Sequence, residues 1–92
     1  MRFEWDEAKR KVNLRKHRID FVAVEKVLLT SETMSYIDER FSYGEERFIT
    51  LGLLDGKVIA IVHTIEEEVI RVISARKAMK NEEESYFKEF TN

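Results

Sequence analysis

The sequence contains no cysteine and no proline, and only three of its 92 residues are glycine. The lack of cysteine excludes a disulfide framework, a thiolate nucleophile and a thiolate metal site. Because there is neither proline nor a glycine-rich stretch, no linker or low-complexity segment divides the chain. We therefore expect residues 1–92 to form a single domain.

Long apolar runs are also missing from the sequence. No run approaches the roughly 18 residues that a membrane span requires. The first residues, MRFEWDEAKRK, lack the apolar core of a signal peptide. We expect a cytoplasmic protein without a membrane partner.

The common catalytic and cofactor-binding motifs are absent too. The sequence has no P-loop, nucleophile elbow, HExxH motif or glycine-rich dinucleotide turn. Its two histidines, His17 and His63, lie far apart and supply too few ligands for a metal site. We expect neither a cofactor nor a metal.

Charged residues are abundant, at 37% of the chain, but their signs are unevenly distributed. Residues 1–18 and 71–80 each carry a net charge of +4, although the whole chain carries −2. Residues 19–70 carry −7 and residues 81–92 carry −3. The two basic segments would form an anion-binding surface if the fold brought them side by side. Alternatively, they are two solvated surfaces with no common ligand.

Two helices are predicted near the N-terminus. Asp6 is a suitable N-cap for a basic helix over Lys9–Lys16. Asp20 is a suitable N-cap for a second helix over Phe21–Leu29, whose apolar residues recur at helical spacing. The second helix should therefore face a core.

The middle of the chain has the pattern of β-strands. Asp55–Gly56 marks a hairpin turn. Lys57–Thr64 is apolar on both faces, as expected of a central strand covered by helices. The other predicted strands are Met34–Asp38, Arg47–Leu53 and Val69–Ala75, with the short Arg2–Trp5 as a candidate edge strand.

A third helix is predicted at the C-terminus. Asn81 followed by Glu84 forms a capping-box pattern, and Tyr86, Phe87 and Phe90 would be the apolar stripe of the helix. Helices, then an antiparallel meander, then a helix predict the α+β class. We expect N-terminal helices, a three- to four-stranded antiparallel sheet and a C-terminal helix.

Arginines in strand contexts are the most distinctive polar feature. Arg71 lies among β-branched residues of its strand, where it must be paired or open onto a concave surface. Arg76 ends the same strand with Lys77 beside it, and Arg47 begins another strand. In the alternative interpretation, Glu45 forms a buried salt bridge with Arg71 or Arg47.

The histidines and aromatic residues each allow a structural and a functional interpretation. His17 ends the basic helix, where it can complement the helix dipole or transfer a proton. His63 is expected to be a core or rim residue, and Trp5 is expected to pack in the core rather than stack on a base. Tyr86 is expected either to pack in the core or to stack on a nucleic-acid base.

Several short motifs resemble the BrnT family of toxins over nearly the whole chain. The opening matches through Phe3–Asp6, Lys9, Asn13, Lys16–His17 and Ile19–Phe21. The middle matches through Arg40, the YGEER segment Tyr43–Arg47 and Gly52, and the end through Arg71–Ala78, Glu84 and Tyr86. Together these motifs are far more specific than any one of them alone.

The resemblance implies a fold similar to the RelE/ParE toxin superfamily and an endoribonuclease that inhibits translation. It also implies a type II toxin–antitoxin system. The partner would be a BrnA-type antitoxin with a ribbon-helix-helix DNA-binding domain. The toxin would then contact operator DNA only indirectly, through the antitoxin.

RNA cleavage is compatible with these residues because the 2′-OH of RNA supplies the nucleophile. The protein must then orient the scissile phosphate, stabilise its developing negative charge and move a proton. Our hypothesis assigns charge stabilisation to Arg71 and Arg76 and proton transfer to His17 or Glu45. RNA contacts are predicted for Lys9, Lys16, Arg47, Lys77 and Tyr86.

Two other functions remain open at this point. The chain could be a non-enzymatic toxin that binds and poisons a protein target. It could also be an inactive subunit that only binds the antitoxin and regulates expression.

Overall fold

The computed structural model describes residues 1–40 and 44–90, which form five strands and three helices. In chain order these are β1 (Arg2–Trp5), α1 (Glu7–His17), α2 (Phe21–Leu28), β2 (Met34–Ile37), β3 (Phe48–Leu54), β4 (Lys57–Glu66), β5 (Val69–Lys77) and α3 (Lys80–Phe90). The strands form one sheet in the order β1-β5-β4-β3-β2. The α+β class predicted from the sequence is confirmed.

The predicted sheet needs a correction in strand number and direction. The described residues form a five-stranded mixed sheet because β1 pairs in parallel with β5, from Arg2 opposite Val69 to Trp5 opposite Val72. The other three pairings are antiparallel, as predicted. The candidate edge strand Arg2–Trp5 is confirmed as β1, but its four residues do not indicate the direction of its pairing. The parallel partner lies more than sixty residues away, so local sequence does not indicate it.

The N-terminal caps are confirmed, whereas the predicted cap of α3 is wrong in register. The Asp6 carboxylate accepts hydrogen bonds from the Ala8 and Lys9 amides, and Asp20 accepts one from the Val22 amide. In α3 the carboxylate that reaches back is Glu82, which accepts a hydrogen bond of 2.8 Å from the Met79 amide. Glu82, rather than Glu84, therefore has the capping-box role.

The sheet has a hydrophobic core on each face. On one face, α2 contributes Phe21, Val24 and Val27, which pack against the central strands. On the other face, Tyr86 of α3 packs over residues of β3 and β4. β4 is buried from Val58 to Thr64, so its predicted role as the central strand is confirmed. Trp5 lies edge-on to Phe21 at a centroid distance of 6.0 Å, in agreement with its predicted core role.

Gly52 allows α2 to approach the sheet. A Cβ atom at this position would lie 2.5 Å from Cγ1 of Val27, closer than real Cβ contacts. Gly52→Ala is therefore expected to destabilise the fold by about 1–3 kcal/mol, as overpacking typically does. Urea denaturation followed by circular dichroism measures the change.

Val27→Ala provides the matched test of this explanation. Removing the opposing methyl groups makes room for the new Cβ, so the double variant should lose less stability than the sum of the two single variants. Strict additivity would show that the contact between Gly52 and Val27 is not the cause.

Candidate functional site

A β-bulge in β5 decides which residues share a face of the sheet. His63 of β4 lies opposite Val72 and Val62 lies opposite Ser74, so Ile73 is an extra residue on β5. Side chains alternate along a strand, so residues five apart would normally lie on opposite faces. The extra residue reverses this alternation beyond the bulge.

The bulge places Arg71 and Arg76 on the same face. Arg71 lies opposite Thr64 and Arg76 lies opposite Ala60, and these two β4 residues are four positions apart. Ala60 belongs to the core cluster beneath Tyr86, so this is the face on which α3 packs. The strand rise separates the two arginine backbones by roughly 13 Å. We call this surface the α3 face.

Arg71 is paired with a carboxylate at one end of the α3 face. Its Nη2 lies 2.6 Å from Oε1 of Glu45, and Nη2 of Arg47 lies 3.8 Å from the same oxygen. The salt bridge considered from the sequence is therefore present. It is half-exposed rather than buried, because the side chains of Arg71 and Glu45 are 44% and 36% exposed.

The surroundings of Arg71 are acidic. Glu4, Glu66 and Glu67 line the same cleft together with Glu45, and Arg2 is the other basic residue among those that line it. An anion that binds Arg71 must therefore overcome this negative potential.

Arg76 forms a tighter ion pair at the other end of the face. Its Nη1 and Nη2 bind the two carboxylate oxygens of Glu82 at 2.7 and 3.0 Å. Glu82 is only 5% exposed and also accepts hydrogen bonds from the Met79 amide and, at 2.7 Å, from the hydroxyl of Tyr36. One carboxylate thus joins β5, β2 and the start of α3.

The pKa values of this cluster reflect these hydrogen bonds. Burial alone would raise the pKa of Glu82, but the hydrogen bonds from Arg76, the Met79 amide and Tyr36 lower it to about 2. Burial and the hydrogen bond to Glu82 raise the pKa of Tyr36 to about 12. At neutral pH the cluster therefore holds an ionised carboxylate, a guanidinium and a neutral phenol.

Sequence reasoning did not identify Tyr36 or Glu82 as site residues. Tyr36 is 46 positions from Glu82, and no local pattern links them. One local pattern could have pointed to Glu82, because an acidic residue in the first turn of a helix often caps it. The capping-box pattern gave that role to Glu84 instead.

Three predicted residues come together beside the bulge. Lys9, Lys16 and His17 of α1 line a groove of about 310 Å³ with Ile73 and Ser74 of β5, which we call the α1 groove. Buried Asn13 fixes α1 against this strand, because its amide donates to the Ile19 carbonyl and its oxygen accepts from the Ala75 amide. The two basic segments of the sequence therefore adjoin at β5.

Two predicted RNA contacts lie elsewhere. Lys77 is opposite Ile59, so the register places it on the α2 side of the sheet, away from Arg76. Tyr86 is 1% exposed and its hydroxyl donates to the Glu32 carbonyl, so its ring belongs to the core. Because the apolar stripe of α3 faces the sheet, Tyr86 is buried and its ring is not accessible for the predicted contact with RNA.

His63 is buried in the sheet, in agreement with the predicted core role, and burial lowers its pKa. Its Nε2 lies 2.6 Å from Oγ1 of Thr50. Tyr43 of the YGEER segment lies outside the described residues.

Within residues 1–40 and 44–90, no three histidine or acidic side chains are grouped as metal ligands. No helix of this part is long and apolar enough to cross a membrane.

The Glu82 cluster predicts a specific dependence of stability on pH. The folded-state pKa of about 2 lies below the ordinary value of 4.5, so the stabilisation is complete above pH 4.5 and is lost as the pH falls towards 2. The shift corresponds to a contribution on the order of 3 kcal/mol. Glu82→Gln should lack this pH-dependent contribution when the free energy of unfolding is measured between pH 5 and 2.

The control is Glu83→Gln, which changes an exposed carboxylate on the same helical turn. The free energy of unfolding of this variant should change with pH as that of the wild-type protein does. If the free energy of unfolding of Glu82→Gln also followed the wild-type pH dependence, the carboxylate of Glu82 would not be the stabilising group.

No curated protein matches this chain. A family model described as "Ribonuclease toxin, BrnT, of type II toxin-antitoxin system" matches residues 5–82. The matched range contains α1, both arginines of the α3 face and Glu82. Because the match covers most of the 92 residues, the chain belongs to the BrnT family of ribonuclease toxins of type II toxin–antitoxin systems.

Proposed function

We propose that this protein is an endoribonuclease that inhibits translation by cleaving RNA without a metal ion, on the α3 face. The observation that carries the proposal is the bulge of β5, which brings Arg71 and Arg76 to one face of the sheet. Arginine offers permanently charged, bidentate donors that suit phosphate oxygens. Two such groups on one face can bind the same RNA strand.

The reaction needs little covalent chemistry from the protein. The 2′-oxygen of RNA attacks the adjacent phosphorus, the 5′-oxygen leaves, and one proton is removed while another is supplied. Arg76 and Arg71 stabilise the charge that develops on the phosphate oxygens. Glu45 is favoured as the proton acceptor because its carboxylate lies on the same face as Arg71, whereas His17 would act from the α1 groove.

The two arginines would bind RNA differently. Glu45 accepts one hydrogen bond from Arg71, and this ion pair is half-exposed and therefore weak, so a phosphate can bind Arg71 beside Glu45 or in its place. Arg76 can keep its buried partner. Glu82 and the Lys77 carbonyl take three of its five N–H groups within the described part of the chain, which leaves two for a phosphate.

Basic residues around the bulge would guide the strand. Lys9 and Lys16 lie in the α1 groove beside Ile73 and Ser74, which separate the two arginines along β5. Arg47 lies next to Glu45, with 3.8 Å between its Nη2 and the Oε1 of Glu45. Lys77, on the opposite face, would contribute only long-range attraction.

Membership of a type II toxin–antitoxin family implies an antitoxin partner. We propose that it is of the BrnA type, with a ribbon-helix-helix domain that reads the operator DNA for the complex. Its site of action would be the cytoplasm, and residues 1–92 would act as one domain.

One observation favours a second function. The acidic cleft around Arg71, with Glu4, Glu45, Glu66 and Glu67, is unfavourable for a polyanion and more suitable for a basic protein surface. A non-enzymatic toxin that binds a protein target is therefore the alternative, and an inactive regulatory subunit would also lack nuclease activity.

Cleavage of labelled RNA by the purified protein tests the proposal. Arg71→Ala and Arg76→Ala should each lower the rate about 10²–10³-fold, the usual cost of removing one electrostatic donor from a transition state. Activity should persist in EDTA. Since Arg76→Ala leaves Glu82 buried without its partner, Arg76→Lys should be measured beside it, with thermal unfolding to confirm the fold.

Lys26→Ala is the matched control because it removes an exposed positive charge from α2, on the other side of the sheet. It should cleave like the wild-type protein. Folded Arg71→Ala and Arg76→Ala variants with full activity would contradict the proposed mechanism. A folded wild-type protein without nuclease activity would favour a protein-binding toxin or an inactive regulatory subunit.

A further inference from the structure

Tyr36 is held in place by its hydroxyl while much of its ring remains accessible. The residue lies on the edge strand β2 and is 40% exposed. Its hydroxyl donates to Oε2 of Glu82 at 2.7 Å, and Glu82 is itself fixed by Arg76 and the Met79 amide. An exposed tyrosine normally samples several rotamers, but this anchor removes most of that freedom before any ligand binds.

The ring shares the α3 face with Arg76. Tyr36 pairs with Ile49 across the sheet, and Ile49 belongs to the core cluster beneath Tyr86. Tyr36 therefore projects from the same side of the sheet as the residues proposed to bind RNA phosphates. Its strand β2 is an edge strand of the sheet, and the register places Tyr36 level with Ser74, between the two arginines along the strand direction.

The cleft around the ring combines flat, charged and apolar groups. Arg40, Arg76 and Asn81 line it together with the acidic residues Asp38, Glu39 and Glu82, and its volume is about 220 Å³. Its apolar lining includes Ile37 and Met79, which are 49% and 51% exposed. Asp38 holds Arg40 through a hydrogen bond of 3.0 Å between the carboxylate and Nε.

Proteins bind the bases of single-stranded RNA through groups of these kinds. Unpaired bases stack on aromatic rings and guanidinium planes, and their polar edges are recognised by amide and charged side chains. The phenol of Tyr36 stays protonated at neutral pH and already donates its hydrogen bond, so the residue contributes a stacking surface rather than a base for proton transfer.

We propose that the cleft between β2 and the start of α3 binds one unpaired base of a single-stranded RNA, stacked on the ring of Tyr36. This inference rests on the proposed ribonuclease function, for which it names a base-binding position next to Arg76. Glu82 acts as a positioning residue, because it orients both the stacking ring and the guanidinium without contacting the RNA.

Binding of a cleavage-resistant RNA tests the inference without relying on catalysis. Fluorescence anisotropy gives the Kd of the wild-type protein for a 2′-O-methylated single strand, and for a series in which one abasic nucleotide is moved along that strand. At one position the abasic nucleotide should raise the Kd about 5- to 100-fold, the effect of losing one stacked base.

Variants of Tyr36 assign that effect to the ring. Tyr36→Leu should raise the Kd for the intact RNA by a similar factor, and its Kd should no longer change with the abasic nucleotide. Tyr36→Phe keeps the ring but loses the anchor, so its loss of affinity should be smaller. Thermal unfolding checks that each variant is folded.

The outcomes separate this inference from the proposed function. If the wild-type protein binds RNA and Arg76→Lys weakens binding, but Tyr36→Leu binds as tightly as wild type, the base position is wrong and the proposed function stands. An abasic effect that persists in Tyr36→Leu would also overturn the inference. No RNA binding by the wild-type protein would overturn both.

Discussion

One extra residue in β5 determines what the α3 face can do. Without Ile73 as a bulge, the five-residue spacing would place Arg71 and Arg76 on opposite faces of the sheet. With it, both guanidinium groups lie on the same side and the α1 groove opens beside them. Basic residues of the segments 1–18 and 71–80 thereby adjoin, although the chain as a whole is acidic.

Two carboxylates then control the two arginines in different ways. Glu82 is buried and binds Arg76 through both of its oxygens, so this pair organises β2, β5 and α3 as well as the site. Glu45 binds Arg71 in a half-exposed position, where water and salt weaken the pair. A phosphate can displace the second carboxylate far more easily than the first. In the proposed mechanism, Arg76 is therefore the more firmly held guanidinium, and Arg71 is the one whose partner a phosphate can replace.

Local patterns predicted the elements of the fold but not how they are joined. The carboxylates of Asp6 and Asp20 accept hydrogen bonds from amides no more than three residues away, so their capping roles could be predicted locally and are confirmed. The apolar run of β4 is itself the sign of a buried strand, and that prediction is confirmed too. The bulge and the parallel pairing of β1 depend on the register between distant segments, which alternation within one strand does not encode. The same limit explains why Tyr36 was missed. The burial of Tyr86, by contrast, agrees with the apolar stripe predicted for α3.

The central claim is that Arg71 and Arg76 belong to one RNA-binding surface, and nuclear magnetic resonance tests it most directly. The side-chain Nε–H signals of both arginines can be followed while a 2′-O-methylated RNA strand is added. Both signals should shift in parallel with saturation, while the backbone amide of Lys26, on the other side of the sheet, stays unchanged. Shifts at only one arginine, or centred on α2, would contradict the account.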